Sequence, residues 1–69
     1  YIMAVALTAR GRRDEAIEHL RRAVALNPEN RAQARQDPDL EALRDHGGFR
    51  NALETPALPR RKAIAARRR

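Results

Sequence analysis

The apolar residues at the start of the chain repeat with the period of an α-helix. Met3, Ala4 and Leu7 are spaced three or four residues apart. Gly11 follows this stretch, and glycine is favoured just after a helix because it adopts positive φ at little cost. The pattern predicts a first helix over residues 1–10 that ends at Gly11.

Two apolar stripes run along the next segment. They are formed by Ala16, Leu20 and Ala23 and by Ile17 and Val24. The segment opens with Asp14-Glu15, whose negative charges are favoured at the start of a helix by the helix dipole. It closes at Asn27-Pro28, because the residue before a proline disfavours the α conformation. A second helix is therefore predicted over residues 14–26.

The short connection between these helices predicts how they pack. A turn of very few residues forces two consecutive helices into an antiparallel hairpin. The small side chains of Ala4, Ala16 and Ala23 would let the helices approach closely. The stripe formed by Ile17 and Val24 then lacks a cover and must be buried by residues further along the chain.

Two further helix starts follow the hairpin. Asn30 and Gln33 have the spacing of a reciprocal capping box, which predicts a short helix over residues 30–35. Asp37 is a favourable N-cap, and Pro38 then occupies the first helical position, where its missing N–H costs nothing. We therefore expect a second short helix to begin directly after Asp37.

The apolar residues of this second part predict a lid over the hairpin. They are Leu40, Leu43, Phe49 and Leu53. The first two share one face of a helix that Gly47-Gly48 is expected to end, and the last two form one more apolar turn. Since no other side chains are available to cover Ile17 and Val24, residues 30–54 are predicted to fold back onto the hairpin.

The predicted elements define an all-α chain with three parts. Residues 1–29 form a helical hairpin, and residues 30–54 form short capping helices. Residues 55–69 contain Pro56 and Pro59 and are predicted to be a linker followed by a disordered basic tail.

The net charge of +6 is confined to the end of the chain. Residues 1–59 hold nine arginines and nine acidic residues, whose charges cancel. The excess lies on Arg60, Arg61, Lys62, Arg67, Arg68 and Arg69. We interpret this tail as a solubilising terminus; the alternative is contact with an acidic partner, either nucleic acid or protein. The tail has no aromatic residue to stack on bases, so nucleic-acid binding would be indifferent to sequence. It also lacks the large apolar face of a membrane anchor.

The residue types argue against catalysis and against metal binding. The chain has no cysteine and no serine, and His19 and His46 alone cannot complete a zinc site. Asp45 precedes His46, but sequence neighbours rarely orient each other as a catalytic pair, and we expect His46 to lie near the last carbonyls of a helix. His19 is expected on the surface. No catalytic residue, metal ligand or cofactor is predicted.

The hairpin resembles a tetratricopeptide repeat, a helix–turn–helix unit of about 34 residues. Met3-Ala4 stands where the family has Leu-Gly, Leu7 stands where it has an aromatic residue, and Gly11 matches its small turn residue. The spacing of the second helix also matches at Ala16, Leu20, Ala23 and Pro28. The resemblance covers about residues 1–30, nearly one repeat without its first residues.

The second part resembles the segment that often ends bacterial arrays of these repeats. The resemblance runs over residues 34–53, although the pattern commonly has a proline shortly before the phenylalanine, where this chain has Gly47-Gly48. It implies the closing unit of a bacterial, cytoplasmic scaffold. About three stacked units are usually needed for stability, so we expect upstream repeats before Tyr1 or, as the alternative, self-association.

The resemblance implies a non-catalytic scaffold that binds a protein or peptide. Family members bind in a concave groove lined by the first helix of each repeat, and the matching positions here are Tyr1, Val5, Thr8 and Ala9. A groove that clamps a terminal carboxylate would carry asparagine where this chain has Val5, so such a clamp is not expected. The alternatives are a nucleic-acid-associated module that uses the basic tail and a non-catalytic appendage of a larger enzyme.

Overall fold

The structure, a computed structural model, describes residues 1–58 as an all-helical chain. Its elements are α1 (Ile2–Ala9), α2 (Arg13–Leu26), α3 (Asn30–Gln36), a 3-10 helix (Pro38–Leu43) and α4 (Phe49–Leu53). No strand occurs within residues 1–58, which confirms the predicted fold class. No helix of this part of the chain is long and apolar enough to cross a membrane. The predicted tail from Arg60 to Arg69 lies outside the described residues.

The turn between α1 and α2 depends on Gly11. Its φ of +79° lies in the left-handed region, as predicted for a glycine that ends a helix. The turn is closed by the Arg12 amide, which donates to the Leu7 carbonyl over 2.9 Å. Helix α2 begins at Arg13, one residue earlier than predicted, and carries Asp14 and Glu15 in its first turn. The negative charges therefore lie where the helix dipole favours them.

Small residues form the contact between α1 and α2. Ala4 and Ala16 are fully buried in the main core cluster, as the hairpin prediction requires. Ala23 is also buried but lies outside that cluster, close to the start of α3, where its carbonyl accepts a hydrogen bond from the Asn30 side chain. Of the three small residues, Ala4 and Ala16 therefore lie in the main core cluster, and Ala23 lies where α2 meets α3.

The connection from α2 to α3 corrects the predicted capping box. Asn27 is extended, as expected before Pro28, and its Oδ1 accepts from the Glu29 amide at 3.2 Å. Asn30 is the first helical residue rather than the cap, and α3 has no side-chain cap. Its Nδ2 instead donates to the Ala23 carbonyl at 3.0 Å. The capping-box assignment was wrong because this short connection brings the Asn30 side chain to the Ala23 carbonyl, which also accepts from the Asn27 amide.

The next helix begins as predicted but has a tighter geometry. Asp37 caps it, with Oδ1 accepting from the Asp39 amide at 2.9 Å, and Pro38 follows at the first position. The element is a 3-10 helix, in which residues three apart eclipse each other. Leu40 and Leu43 therefore point in the same direction, and both are fully buried. The helix ends at Leu43, well before the glycine pair that was expected to end it.

The segment over residues 30–54, which we call the cap, folds back onto both helices of the hairpin. All four predicted lid residues share one core cluster with Ile17 and Val24; they are Leu40, Leu43, Phe49 and Leu53. The 3-10 helix packs mainly against α1, whereas α4 packs against α2. The lid is therefore present, but it covers the first helix as well as the second stripe of α2.

Polar contacts attach the cap at several points. The Arg31 side chain donates from Nε to the Leu53 carbonyl and from Nη2 to the Thr55 carbonyl at 3.2 Å, which joins α3 to the end of α4. Arg13 pairs with Asp45 at 3.1 Å. These contacts connect residues that are distant in sequence, and the spacing of the chain did not predict them.

Gly48 belongs to the Gly47-Gly48 pair, which stands where the resembling segment commonly has a proline shortly before the phenylalanine. A Cβ at this position would lie 3.2 Å from Cγ2 of Ile17, closer than side chains normally pack. The glycine therefore lets the backbone before α4 approach α2 closely. Phe49 directly after it is buried, so the departure from the family pattern leaves the lid intact.

Candidate functional site

The residues predicted to line a groove lie in different environments on α1. Tyr1 and Val5 are half-buried and pack against the core cluster. Thr8 is buried, and its hydroxyl donates to the Ala4 carbonyl one turn back at 2.7 Å. Ala9 is exposed. Much of this predicted face is therefore in contact with the chain itself.

Tyr1 forms a specific contact with the cap. Its hydroxyl donates to Oδ2 of Asp37 at 2.5 Å, while the other carboxylate oxygen caps the 3-10 helix. Burial and this hydrogen bond raise the pKa of Tyr1 well above its ordinary value of 10.0. The hydrogen bond from Tyr1, together with that from the Asp39 amide, lowers the pKa of the Asp37 carboxyl below its ordinary value of 3.8. The contact is thus favoured between mildly acidic and mildly alkaline pH.

A different face of α1 is apolar and exposed. Its residues are Ile2, Met3, Ala6 and Ala9. Ile2 is 84% exposed and Met3 is 52% exposed, whereas Ala4 and Leu7 on the opposite side are buried. The helix contains no charged residue, so it is apolar on every side. Helices of this kind are normally buried on every side. We call these four residues the outer face of α1.

The outer face was only partly visible in the sequence. Met3 was assigned to the same apolar stripe as Ala4 and Leu7, and its exposure corrects that assignment. Ile2 and Ala6 were not singled out at all. The signal that could have found them is the unbroken run of uncharged residues from Ile2 to Ala9, which leaves the helix without a polar side.

The histidines belong to no cluster of metal-ligating side chains within residues 1–58. No group of three or more His, Cys, Asp or Glu side chains that could hold a metal ion occurs in this part of the chain. His46 lies near the last carbonyls of a helix, as expected, because its amide donates to the Leu43 carbonyl at 2.9 Å. Its Nε2 lies 2.7 Å from Oδ1 of Asp14, and its Nδ1 accepts from the Gly48 amide at 2.9 Å. The ring therefore links the cap to the start of α2.

The fold of residues 1–58 is a helical hairpin followed by a segment of short helices that packs on it. Residues 1–30 match the family model described as tetratricopeptide repeat. Repeats of this family generally mediate binding to proteins or peptides and are generally non-catalytic. No curated protein and no solved structure matched the chain significantly. The matched residues span α1, α2 and the start of the connection to the next helix.

Proposed function

We propose that the protein is a non-catalytic protein–protein interaction module, the terminal unit of a tetratricopeptide solenoid. In this proposal the outer face of α1 binds an apolar helix of the adjacent repeat. The observation that carries it is the exposure of Ile2 and Met3 on a helix without a charged residue. Residues 1–29 would be the repeat, residues 30–54 the cap of the array and residues 55–69 a linker and tail.

The chemistry of the outer face favours a helix as its occupant. Complete burial of an isoleucine or methionine side chain contributes about 1.5–3 kcal/mol. Ala6 and Ala9 lie one turn apart on this face, and small residues let a second helix approach closely. No charged side chain of α1 would have to lose its hydration on binding. An apolar helix stripe therefore fits the face better than a charged peptide.

The surface of the cap supports the terminal position. A repeat array needs a last unit that buries the final apolar face and presents polar groups outside. The cap buries its four large apolar side chains against the hairpin. Its exposed residues include Arg35, Asp39, Glu41 and Arg50. Further repeats would therefore stack on the side of α1, and the array would end at the cap.

Of the predicted groove residues, Ala9 belongs to the outer face, and the half-buried Val5 lies one turn before it.

The proposal is tested by joining consensus repeats to the chain. Two consensus tetratricopeptide repeats are fused before Tyr1 in stacking register, and unfolding in urea is followed by circular dichroism. We expect a single transition, with the chain's own unit stabilised by about 3 kcal/mol from burial of the outer face. Ile2→Lys should remove this gain. Leu26→Lys is the matched control, because Leu26 is also apolar and 65% exposed but lies at the far end of α2. Separate transitions, with no gain in the chain's own unit, would contradict the proposal.

Nucleic-acid association is the second candidate, and it rests on the sequence of the tail. Six positive charges lie between Arg60 and Arg69, outside the described residues. This function requires that binding to unrelated DNA duplexes weakens steeply with salt and disappears when residues 60–69 are removed. The absence of salt-sensitive binding in the complete chain would eliminate it.

A further inference from the structure

Arginine side chains from three segments of the cap line one open cavity. Its volume is about 580 Å³, which is within the range of small ligand sites. Arg35 comes from α3, Arg44 from the turn after the 3-10 helix and Arg50 from α4. All three are exposed, and Phe49 and Leu53 beneath them are buried. The cavity thus presents positively charged groups over an apolar floor.

The positive charge of this cavity is only partly balanced. Arg44 forms an ion pair with Glu41 at 2.9 Å, and its guanidinium lies 6.0 Å from the centre of the Phe49 ring. Arg35 and Arg50 form no ion pair with any residue of the described range 1–58. Glu54 is the one acidic residue among those lining the cavity. Residues 59–69 contain no acidic side chain, so the rest of the chain supplies no carboxylate side chain either.

We propose that this cavity binds an acidic peptide segment of a partner protein. Carboxylates of the peptide would accept hydrogen bonds from Arg35 and Arg50, because the planar guanidinium matches a carboxylate in a paired geometry. Arg44 already pairs with Glu41 and lies over the Phe49 ring, so it is less available to the peptide than Arg35 and Arg50 are. No residue of α1 lines the cavity, so the proposal does not depend on the outer face.

The surroundings favour an acidic peptide over a nucleic acid. Phe49 is 7% exposed, so it offers no free ring on which a base could stack. Glu54 lines the cavity and Glu41 adjoins Arg44, and both would repel a continuous chain of phosphates. A short peptide can place its carboxylates between these groups. The arginines also surround one concave cavity, whereas a nucleic-acid-binding surface usually carries its basic residues along an extended stripe.

The test measures binding of a designed acidic peptide to the complete chain. The probe is a fluorescein-labelled twelve-residue peptide of alternating Glu and Leu, read by fluorescence anisotropy in low salt. A peptide with Gln in place of Glu is the neutral comparison. Arg35→Gln combined with Arg50→Gln should weaken binding of the acidic peptide about tenfold, since each exposed charge pair contributes modestly. Arg10→Gln combined with Arg22→Gln is the matched control, because it removes the same charge from exposed arginines elsewhere.

The possible outcomes separate the proposal from general charge attraction. Binding that falls only in the cavity variant, and that the Gln peptide lacks, would support the site. An equal loss in both variants, or no binding of the acidic peptide to the wild-type chain, would overturn it. A DNA duplex that binds with the same dependence on Arg35 and Arg50, and displaces the peptide, would assign the cavity to nucleic acid. Amide shifts of the unmutated chain must also concentrate at residues 35–54; shifts elsewhere would overturn the assignment even if the variants misfold.

Discussion

The hairpin and the cap bury their apolar residues in one core but are held in shape by different interactions. The hairpin consists of α1 and α2, with eight and fourteen residues, whose backbone bonds lie within the helices. The helices and the 3-10 helix of the cap have five to seven residues each. Side chains of the cap donate hydrogen bonds to carbonyls that are distant in sequence, as Arg31 does to the carbonyls of Leu53 and Thr55. Isolated helices this short are not stable in water.

This difference shows that local sequence signals determine the structure of the hairpin, whereas long-range contacts determine the structure of the cap. The apolar period, the glycine and the proline are enough to specify the hairpin as two helices and a turn. In the cap, the same kinds of signal predict where helices start but not their geometry or their attachments. Apart from truncations in the shared core, we therefore expect substitutions in the cap to act mainly through long-range contacts and substitutions in the hairpin mainly through local conformation.

The largest effect is expected for core truncation on either side of the comparison. Leu40 in the cap and Leu20 in the hairpin are both fully buried. Leu40→Ala and Leu20→Ala should each reduce the free energy of unfolding by about 2–5 kcal/mol, because each leaves a cavity. Urea denaturation monitored by circular dichroism measures both. If Leu40→Ala released only the cap and left the hairpin transition unchanged, the two regions would not share one core.

Next in size is the loss of the contact from Arg31 to the end of α4. Arg31→Lys cannot donate to both the Leu53 and Thr55 carbonyls with the same geometry. We expect a loss of about 1.5 kcal/mol in the free energy of unfolding, the lower end for bonds to charged groups. Arg35→Lys, also in α3 but exposed and without an ion pair within residues 1–58, is the control. Equal stability of the two variants would show that the cap does not depend on this tertiary contact.

A smaller effect is expected from backbone strain in the hairpin turn. Gly11→Ala should cost about 1 kcal/mol, because a Cβ is disfavoured at φ +79° although no atom lies near it. Gly47→Ala in the cap also meets open space but has no positive φ, so it should change stability by less than about 0.5 kcal/mol. Thermal unfolding of both variants makes the comparison. If Gly47→Ala lowered the free energy of unfolding as much as Gly11→Ala does, the backbone of the cap would also depend on a glycine conformation.

The smallest effect should come from the contact that joins Tyr1 to Asp37. Tyr1→Phe should lose about 0.5 kcal/mol near neutral pH, the lower end for one hydrogen bond. The pKa of Asp37 is lowered, so its contribution is present above 3.8 and is lost as the pH falls through the folded-state pKa. The pKa of Tyr1 is raised, so its contribution is present below 10.0 and is lost as the pH rises through the folded-state pKa.

The stability of wild type and Tyr1→Phe should therefore differ most between these limits and converge as the pH falls through the lowered pKa of Asp37. Urea titrations at several pH values measure this difference. A difference that stayed constant down to the lowest pH would mean that the tyrosine contributes by packing rather than through the carboxylate. The Tyr1 side chain would then stabilise the protein through its apolar contacts and not through its hydrogen bond to the cap.

The sequence predicted the positions of the helices better than the interactions at their ends. Asp37 was identified as a cap because a capping aspartate and a following proline act within one turn. Asn30 was misassigned because its side-chain amide donates a hydrogen bond to the Ala23 carbonyl instead of capping a helix. That carbonyl comes near Asn30 only in the folded chain. The pairing of His46 with Asp14 was missed for the same reason. These partners lie too far apart in sequence for a local pattern to join them.

The sequence predicted the helix that carries the candidate binding face but not which of its residues are exposed. The resemblance to a repeat selected Tyr1, Val5, Thr8 and Ala9 on α1, and that selection remains a prediction. It could not anticipate that the cap would contact Tyr1 and that Thr8 would be buried. Because α1 is apolar on every side, its sequence contains no polar stripe that would mark the exposed side. The exposure of Ile2 and Met3 required the packed structure.

The attachment of the cap to both helices also governs how the molecule opens. Because the 3-10 helix packs on α1 and α4 packs on α2, the helices cannot separate until the cap has detached. Amide hydrogens along the buried side of α2 would then exchange with solvent through complete unfolding rather than through fraying of one helix. We therefore expect residues 1–54 to exchange as a single cooperative unit, in which detachment of the short helices of the cap limits the exchange of the longer ones.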